Sequence, residues 1–240
     1  MRRAAIIDNT VLVNLIDSGL DDILIKSYTI FSNLFIPETI LQEFLNVPEP
    51  FLASRQRFAD RILFDRGFFR RCNTFDVIVL GELQTERGVD QGEAEAIAQA
   101  VRRGISLFLT DDARCRKYVE TKRPYLLCRD TPFLIALLDL NQFLLQPNDS
   151  WKRLYQRHKF KSSDLRISYQ NACNFIGITP SRKFLSHKSN LKRSKPIFVF
   201  ATSVLLSPPP LLALSELEAR VRALTRRGVG GGPTDRKSVV

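Results

Sequence analysis

The sequence predicts a small α/β domain over residues 1–148, a parallel sheet with helices on both faces, followed by a basic tail over 149–240. Three observations predict it. Short apolar runs alternate with helix-spaced apolar patterns through about residue 145, the texture of repeated βα units. Glycine and proline punctuate those segments at their ends rather than inside them. Charge also divides the chain: residues 1–150 hold 18 Lys and Arg against 21 Asp and Glu, a net of −3, whereas 151–240 hold 18 against 4, a net of +14.

The elements follow in order. Ala4-Ala5-Ile6-Ile7 is a strand ending at Asp8, and Val11, Leu12, Leu15 and Ile16 recur at helical spacing until Gly19. Leu34-Phe35-Ile36 is a second strand. Pro37 starts a helix from Glu38 to Asn46, with Ile40, Leu41, Phe44 and Leu45 on one face and Pro48 as its stop. The Arg- and Phe-rich stretch from Pro48 to Phe75 reads as helical. Gly92 to Arg103 is an alanine-rich helix closed by Gly104, and it feeds the strand Ile105 to Leu109. Asp111-Asp112 opens a helix to about Glu120, Tyr125 to Cys128 is a strand, and Pro132 to Leu140 a helix. Beyond Trp151 periodicity fades, and the tail is expected to be poorly ordered, so truncation after Asn148 should leave a folded domain.

Composition narrows the function. The net charge of +11 belongs to the tail, so it does not argue that the front domain binds a polyanion. A basic tail could serve as an electrostatic arm beside that domain, but the last residues, 235–240, resemble the in-frame translation of a sequencing-library adapter, and if they are one the tail's charge carries no biological meaning. No apolar run approaches the roughly 20 residues of a membrane span, which predicts a cytoplasmic protein with no membrane contact. The four cysteines, Cys72, Cys115, Cys128 and Cys173, show neither a CxxC pair nor zinc-like spacing with His158 and His187, so they are expected as free thiols.

The chemistry lies in the acidic residues. An open parallel sheet presents ligands at the carboxyl ends of its strands, and Asp8, Asp111 and Asp112 stand there. Glu43 lies on the helix after the second strand, and Glu93 and Glu95 begin the helix before the Thr110 strand. Carboxylates brought together repel one another and stay ionised at neutral pH only beside cations. Mg²⁺ or Mn²⁺ suits hard oxygen ligands and activates water for attack on a phosphodiester.

Ile6-Ile7-Asp8-Asn9-Thr10, Ile36-Pro37-Glu38-Thr39-Ile40-Leu41-Gln42-Glu43, Gly92-Glu93-Ala94-Glu95-Ala96-Ile97-Ala98 and Leu109-Thr110-Asp111-Asp112-Ala113-Arg114 occur in an order and spacing that resembles PIN domains over residues 3–145. The closest likeness is to the VapC-type toxin branch. The resemblance implies a metal-dependent endoribonuclease with Asp8, Glu43, Glu93 and Asp112 as the catalytic quartet. Metal would be held by these four with Asp111, and Thr110 and Glu95 would support them. It further implies a single-stranded RNA substrate, an antitoxin protein as partner, and a homodimer. Arg114 and Arg116 are candidates to hold RNA phosphates. In place of the glycine-containing turn usual in that branch the chain has Arg129-Asp130-Thr131-Pro132.

Plainer readings stand beside these. Asp8 and Asp111 could be helix N-caps, and Glu93 and Glu95 first-turn charges that complement a helix dipole. Arg114 and Arg116 could line a solvated helix face and pair with Glu120. Arg66, Arg70 and Arg71 with Phe68 and Phe69 could grip single-stranded RNA, or form an amphipathic helix whose phenylalanines enter the core. The rival function is a catalytically inert PIN-like module that binds RNA or protein. A phosphohydrolase with an aspartyl nucleophile expects a second Asp at position 10, where this chain has Thr10.

Overall fold

The computed structural model of the 240-residue chain describes residues 3–48, 51–60, 67–73, 75–145, 147–157 and 162–180. The chain runs β1 (Arg3–Ile7), α1 (Asn9–Ile16), α2 (Asp21–Lys26), β2 (Phe31–Pro37), α3 (Glu38–Leu45), α4 (Leu52–Phe58), β3 (Phe69–Cys72), α5 (Val77–Gln84), α6 (Gln91–Arg103), β4 (Leu107–Leu109), α7 (Ala113–Lys122), β5 (Leu127–Arg129), α8 (Thr131–Leu140), α9 (Pro147–Arg157) and α10 (Ser162–Ile176). The five strands form one parallel sheet in the order β3-β2-β1-β4-β5. Strands are added outward from β1 on one side and then, after β3, on the other. The crevice between β1 and β4 is therefore the switch point at which open parallel sheets place their ligands.

The central strands are apolar without alternation. Ala5, Ile6 and Ile7 in β1 and Leu107, Phe108 and Leu109 in β4 are all buried, as expected of strands covered on both faces. Two helical groups cover them. One gathers α1, α2, α3, α4, α8, α9 and α10 in mutual contact; the other pairs α5 with α6, which lies on β1, β2 and β4. Helix ends are set locally. Asp90 and Glu93 form a reciprocal capping box at the start of α6, and Gly104 ends it in the left-handed conformation, φ 63°, that glycine adopts without strain.

Three differences from the sequence reading have physical causes. The stretch expected to be helical from Pro48 to Phe75 contains α4, but Phe69–Cys72 is the edge strand β3, paired with β2 from Leu34 to Pro37. Phe69 and Cys72 are buried and Arg70 and Arg71 exposed. An apolar pair three residues apart suits a helix and a four-residue strand alike, and only sheet pairing separates them. The Arg/Phe group is accordingly no amphipathic helix: Phe69 packs edge-on against Phe58 and Phe68, Arg71 is ion-paired with Glu38, and Arg66 lies outside the described residues. Second, α2 and α5 are helices that the periodicity did not reveal.

The third difference concerns the expected tail. Residues 147–157 and 162–176 are helical, and Trp151, Leu154, Leu165, Tyr169 and Ala172 are buried in the same core as the sheet. α10 packs along α8, whose residues from Thr131 to Leu138 are all buried. A helix apolar on every side needs a partner on every side. Tyr169 donates its hydroxyl hydrogen bond to Asp139 of α8, and Trp151 Nε1 donates to the Tyr169 hydroxyl at 3.4 Å. The tail beyond residue 180 lies outside the described residues. Cys72, Cys115, Cys128 and Cys173 are free thiols, as expected.

Candidate active site at the carboxyl edge of the sheet

Parallel register sets the centre of the site. Ile6 and Ile7 align with Phe108 and Leu109, so the next residues, Asp8 and Thr110, leave the sheet side by side. Asp8 is 3% exposed, and its backbone N–H still donates to Leu109 at 2.9 Å. Three donors converge on its Oδ2: the Thr110 hydroxyl at 2.9 Å, the Thr10 hydroxyl at 2.5 Å and the Thr10 N–H at 3.3 Å. Asp8 is thus the N-cap of α1 and a buried carboxylate of the crevice at once. Thr110 and Thr10 each work twice: their hydroxyl oxygens accept from the Asp112 N–H at 3.1 Å and the Asp111 N–H at 3.0 Å. Two threonines therefore couple the end of β1 to the turn after β4.

Asp112 caps α7, accepting from the N–H groups of Arg114 at 2.6 Å and Cys115 at 2.9 Å. Glu93, 4% exposed, is held in the capping box: its Oε2 accepts from the Asp90 N–H at 3.0 Å while its own N–H donates to Asp90 at 2.8 Å. Glu43 projects from an exposed face of α3 toward α6. A Cβ at Gly92 would lie 2.9 Å from Glu43 Oε1 and 3.2 Å from Oε2, so the glycine leaves the room that this carboxylate occupies. Glu95 accepts a hydrogen bond from Thr39 of α3 and one from Gln91 at 3.3 Å, bracing the same helix contact.

The electrostatics tie these groups together. Burial pushes Asp8 up despite its hydroxyl and backbone donors. Burial, then the charges of Asp90, Asp8 and Glu95, push Glu43 up. Glu93 is pushed to about 7, chiefly by burial and further by Asp90, Asp8 and Asp112, against the lowering backbone hydrogen bond of Asp90. Its neighbour Cys115 is raised as well, by burial and by Glu93, and stays a neutral packed thiol. Among the described residues no ion pair involves Asp8, Glu43 or Glu93. The charge of Asp8 thus raises Glu43 and Glu93, with no cation among the described residues ion-paired to any of the three.

Of the expected quartet, Asp8 acts electrostatically on both Glu43 and Glu93, and Asp112 acts on Glu93. Asp111 turns away: its carboxyl group is engaged by Asn14 and Thr131. The cap expected at Asp111 is instead Asp112. Among the described residues no three His, Cys, Asp or Glu side chains stand close enough together to enclose a metal ion as they lie. Arg114 is 82% exposed on its side chain and only 3.8 Å from Asp112, leaving its guanidinium available to solvent. Arg116 pairs at 2.9 Å with Asp130 rather than with Glu120, and Asp130 with its other oxygen caps α8 through the Phe133 N–H at 3.0 Å. Sequence reasoning missed Thr10, Asn14 and Asp90. The Asp90-x-x-Glu93 spacing of a capping box was the available signal for the last, and the turn-spaced Thr10 and Asn14 after Asp8 for the others.

Hard carboxylate oxygens, mutual repulsion and a close-approach glycine beneath Glu43 are the chemistry that a hard divalent cation fits. Among the described residues no helix is long and apolar enough to cross a membrane. No curated protein matches the chain. A family model described as the PIN domain matches residues 4–125, just over half of the 240 residues. Taken with the parallel sheet and its acidic carboxyl edge, that match means that the chain belongs to the PIN-domain family, whose members are generally nucleases.

Proposed function

We propose that the protein is a divalent-metal-dependent endoribonuclease that cuts single-stranded RNA in the cytoplasm, and that it serves as the toxin of a toxin–antitoxin pair. The observation that carries the nuclease reading is the buried carboxylate of Asp8 at the crevice between β1 and β4, whose charge raises both Glu43 and Glu93, with Asp112 also acting on Glu93. Asp8, Glu43, Glu93 and Asp112 are the residues that would hold Mg²⁺ or Mn²⁺. The chemistry such a cation supplies when bound is activation of water and stabilisation of the charge that develops on the phosphodiester. The chain's own part is positional. Thr10 and Thr110 orient Asp8, the capping box orients Glu93, and exposed Arg114 offers a guanidinium to an RNA phosphate. Arg116, engaged by Asp130, is the weaker phosphate candidate.

The toxin role rests on the likeness of the four motif segments, and a small antitoxin gene beside this one, whose product co-purifies with the chain, tests it. A second reading, an inert module that binds RNA or protein, is favoured by the absence of a ready three-residue metal cluster among the described residues. The deciding experiment incubates purified, antitoxin-free protein with single-stranded RNA. Cleavage should need Mg²⁺ or Mn²⁺, stop in chelator, and be lost in Asp8→Asn and Asp112→Asn. Cleavage that persists in chelator would falsify the metal mechanism, whereas RNA bound but uncut by the parent protein would establish the inert module.

A further inference from the structure

Two adjacent aspartates at the end of β4 are used in opposite ways. Asp112 caps α7 and acts on Glu93. Asp111 directs its carboxyl group into a set of donors from two distant elements: Asn14 Nδ2 of α1 reaches Oδ2 at 2.5 Å, the Thr131 hydroxyl reaches the same oxygen at 2.5 Å, and the Thr131 N–H reaches Oδ1 at 2.7 Å. Its own N–H donates to Thr10, whose hydroxyl in turn donates to Asp8. One residue thus ties the start of α8, the middle of α1 and the turn that carries Asp112.

We infer that Asp111 is a positioning residue, which pins the turn after β4 to α1 and α8 and so sets the spacing of Asp112 from Asp8 without touching the metal. The inference rests on the reading of this edge as a nuclease centre. Both carboxylate oxygens are engaged by protein donors, Oδ2 twice and Oδ1 once, so most of the acceptor capacity of Asp111 is spent on holding α1 and α8 rather than left for a cation. The lock matters because Asp8 and Asp112 come from separate segments, and reacting groups misplaced by about 1 Å cost on the order of 100-fold in rate.

The test uses the full chain and the exchange of partners. Asp111→Asn removes the charge that gathers these donors and sets an amide Nδ2 where Asn14 and the Thr131 hydroxyl now donate, so that Asn14 must turn its own amide over to stay paired, while Oδ1 is kept as an acceptor for the Thr131 N–H. The double variant Asn14→Asp/Asp111→Asn restores a donor–acceptor pair with the charge moved onto α1. Asn14→Ala removes one arm with little strain. Asp111→Asn should lower kcat on single-stranded RNA by about tenfold or more, with KM and the Mn²⁺ affinity read by electron paramagnetic resonance little changed. The double variant should recover most of the loss. Asp111→Asn that no longer binds Mn²⁺, unrepaired by the exchange, would make Asp111 a ligand and overturn the inference; so would an Asp111→Asn protein as fast as the parent. If the parent chain neither cuts RNA nor binds Mn²⁺, the nuclease reading fails separately. The lock is then judged by thermal melts: coupled effects of Asn14→Ala and Asp111→Asn support it, and strictly additive effects sink it.

Discussion

At the carboxyl edge of the sheet, Asp8 and Glu93 are buried within electrostatic reach of one another, and each is raised by its burial. Across α8, α9 and α10, Tyr169, Asp139 and Trp151 instead satisfy one another: Tyr169 donates to Asp139 and receives from Trp151, amid Leu154, Leu165 and Ala172. Both regions are dense and largely shielded from water. They differ in sign. The first holds like charges together and is held in place by the rest of the fold, while the second contributes the burial that does the holding. Stability and chemistry are therefore expected to respond to opposite manipulations, and each prediction tests that separation.

The largest effect should follow removal of residue 147 onward, which takes away α9 and α10. The loss of Trp151, Leu154, Leu165 and Tyr169 uncovers the apolar flank of α8, and cooperative thermal unfolding by circular dichroism should disappear. A single Trp151→Ala change should cost about 3–5 kcal/mol. A truncated chain that melts like the parent would show that the sheet and its first helices carry the stability alone.

Next comes Asp8→Asn. Asparagine caps a helix as well as aspartate does, so α1 should form normally, and one repelling charge leaves the crevice. Cleavage should fall by about 100-fold to 1000-fold, or roughly 3–4 kcal/mol, while the melting temperature stays level or rises. A variant that is both inactive and clearly less stable would mean that Asp8 serves the fold first.

Acidity supplies a third measure. Glu93 titrates near 7 in the fold, from an ordinary value of 4.5, so between those values the folded protein binds the extra proton. The contribution of Glu93 therefore favours folding below about pH 4.5 and is lost as pH rises through 7, an effect of about 2–4 kcal/mol in the metal-free protein. The difference in urea midpoint between the parent and Glu93→Gln should widen over that window in the variant's favour. Mn²⁺ affinity should climb through the same window, because the cation displaces that proton.

The smallest effect belongs to Arg114→Ala. The side chain is nearly free in solvent and loosely paired, so stability should move by less than about 0.5 kcal/mol. KM for RNA should rise a few-fold at low salt, with the difference closing at high salt as the phosphate interaction is screened.

Most of the fold and the outline of the site were legible because they rest on local signals. The apolar run ending at Asp8, the Asp111-Asp112 pair that opens α7, the glycine after α6 and the acidic start of that helix each lie within a few residues of what they control. The spacing of Leu165, Tyr169, Ala172 and Cys173 was also present in the basic stretch, but the surrounding charge concealed it. An amphipathic pattern says only that a helix could bury a face. Whether there is a surface to bury it on depends on α8, some 30 residues earlier, as the Tyr169–Asp139 bond shows.

By itself the sequence determined the α/β class, the order of most elements and which carboxylates stand at strand and helix ends. Periodicity, caps and breakers act over one or two turns of chain, and they can be read one segment at a time. Only the tertiary structure decided that Phe69–Cys72 joins the sheet as its edge, that the helices after residue 147 complete the core, and that Asp111 and Asp112 point to different tasks. Asp111 meets Asn14 across 97 residues and Thr131 across 20. The direction of a side chain in a turn is set by whichever donors the folded chain brings within 3 Å of it, and no local pattern encodes those.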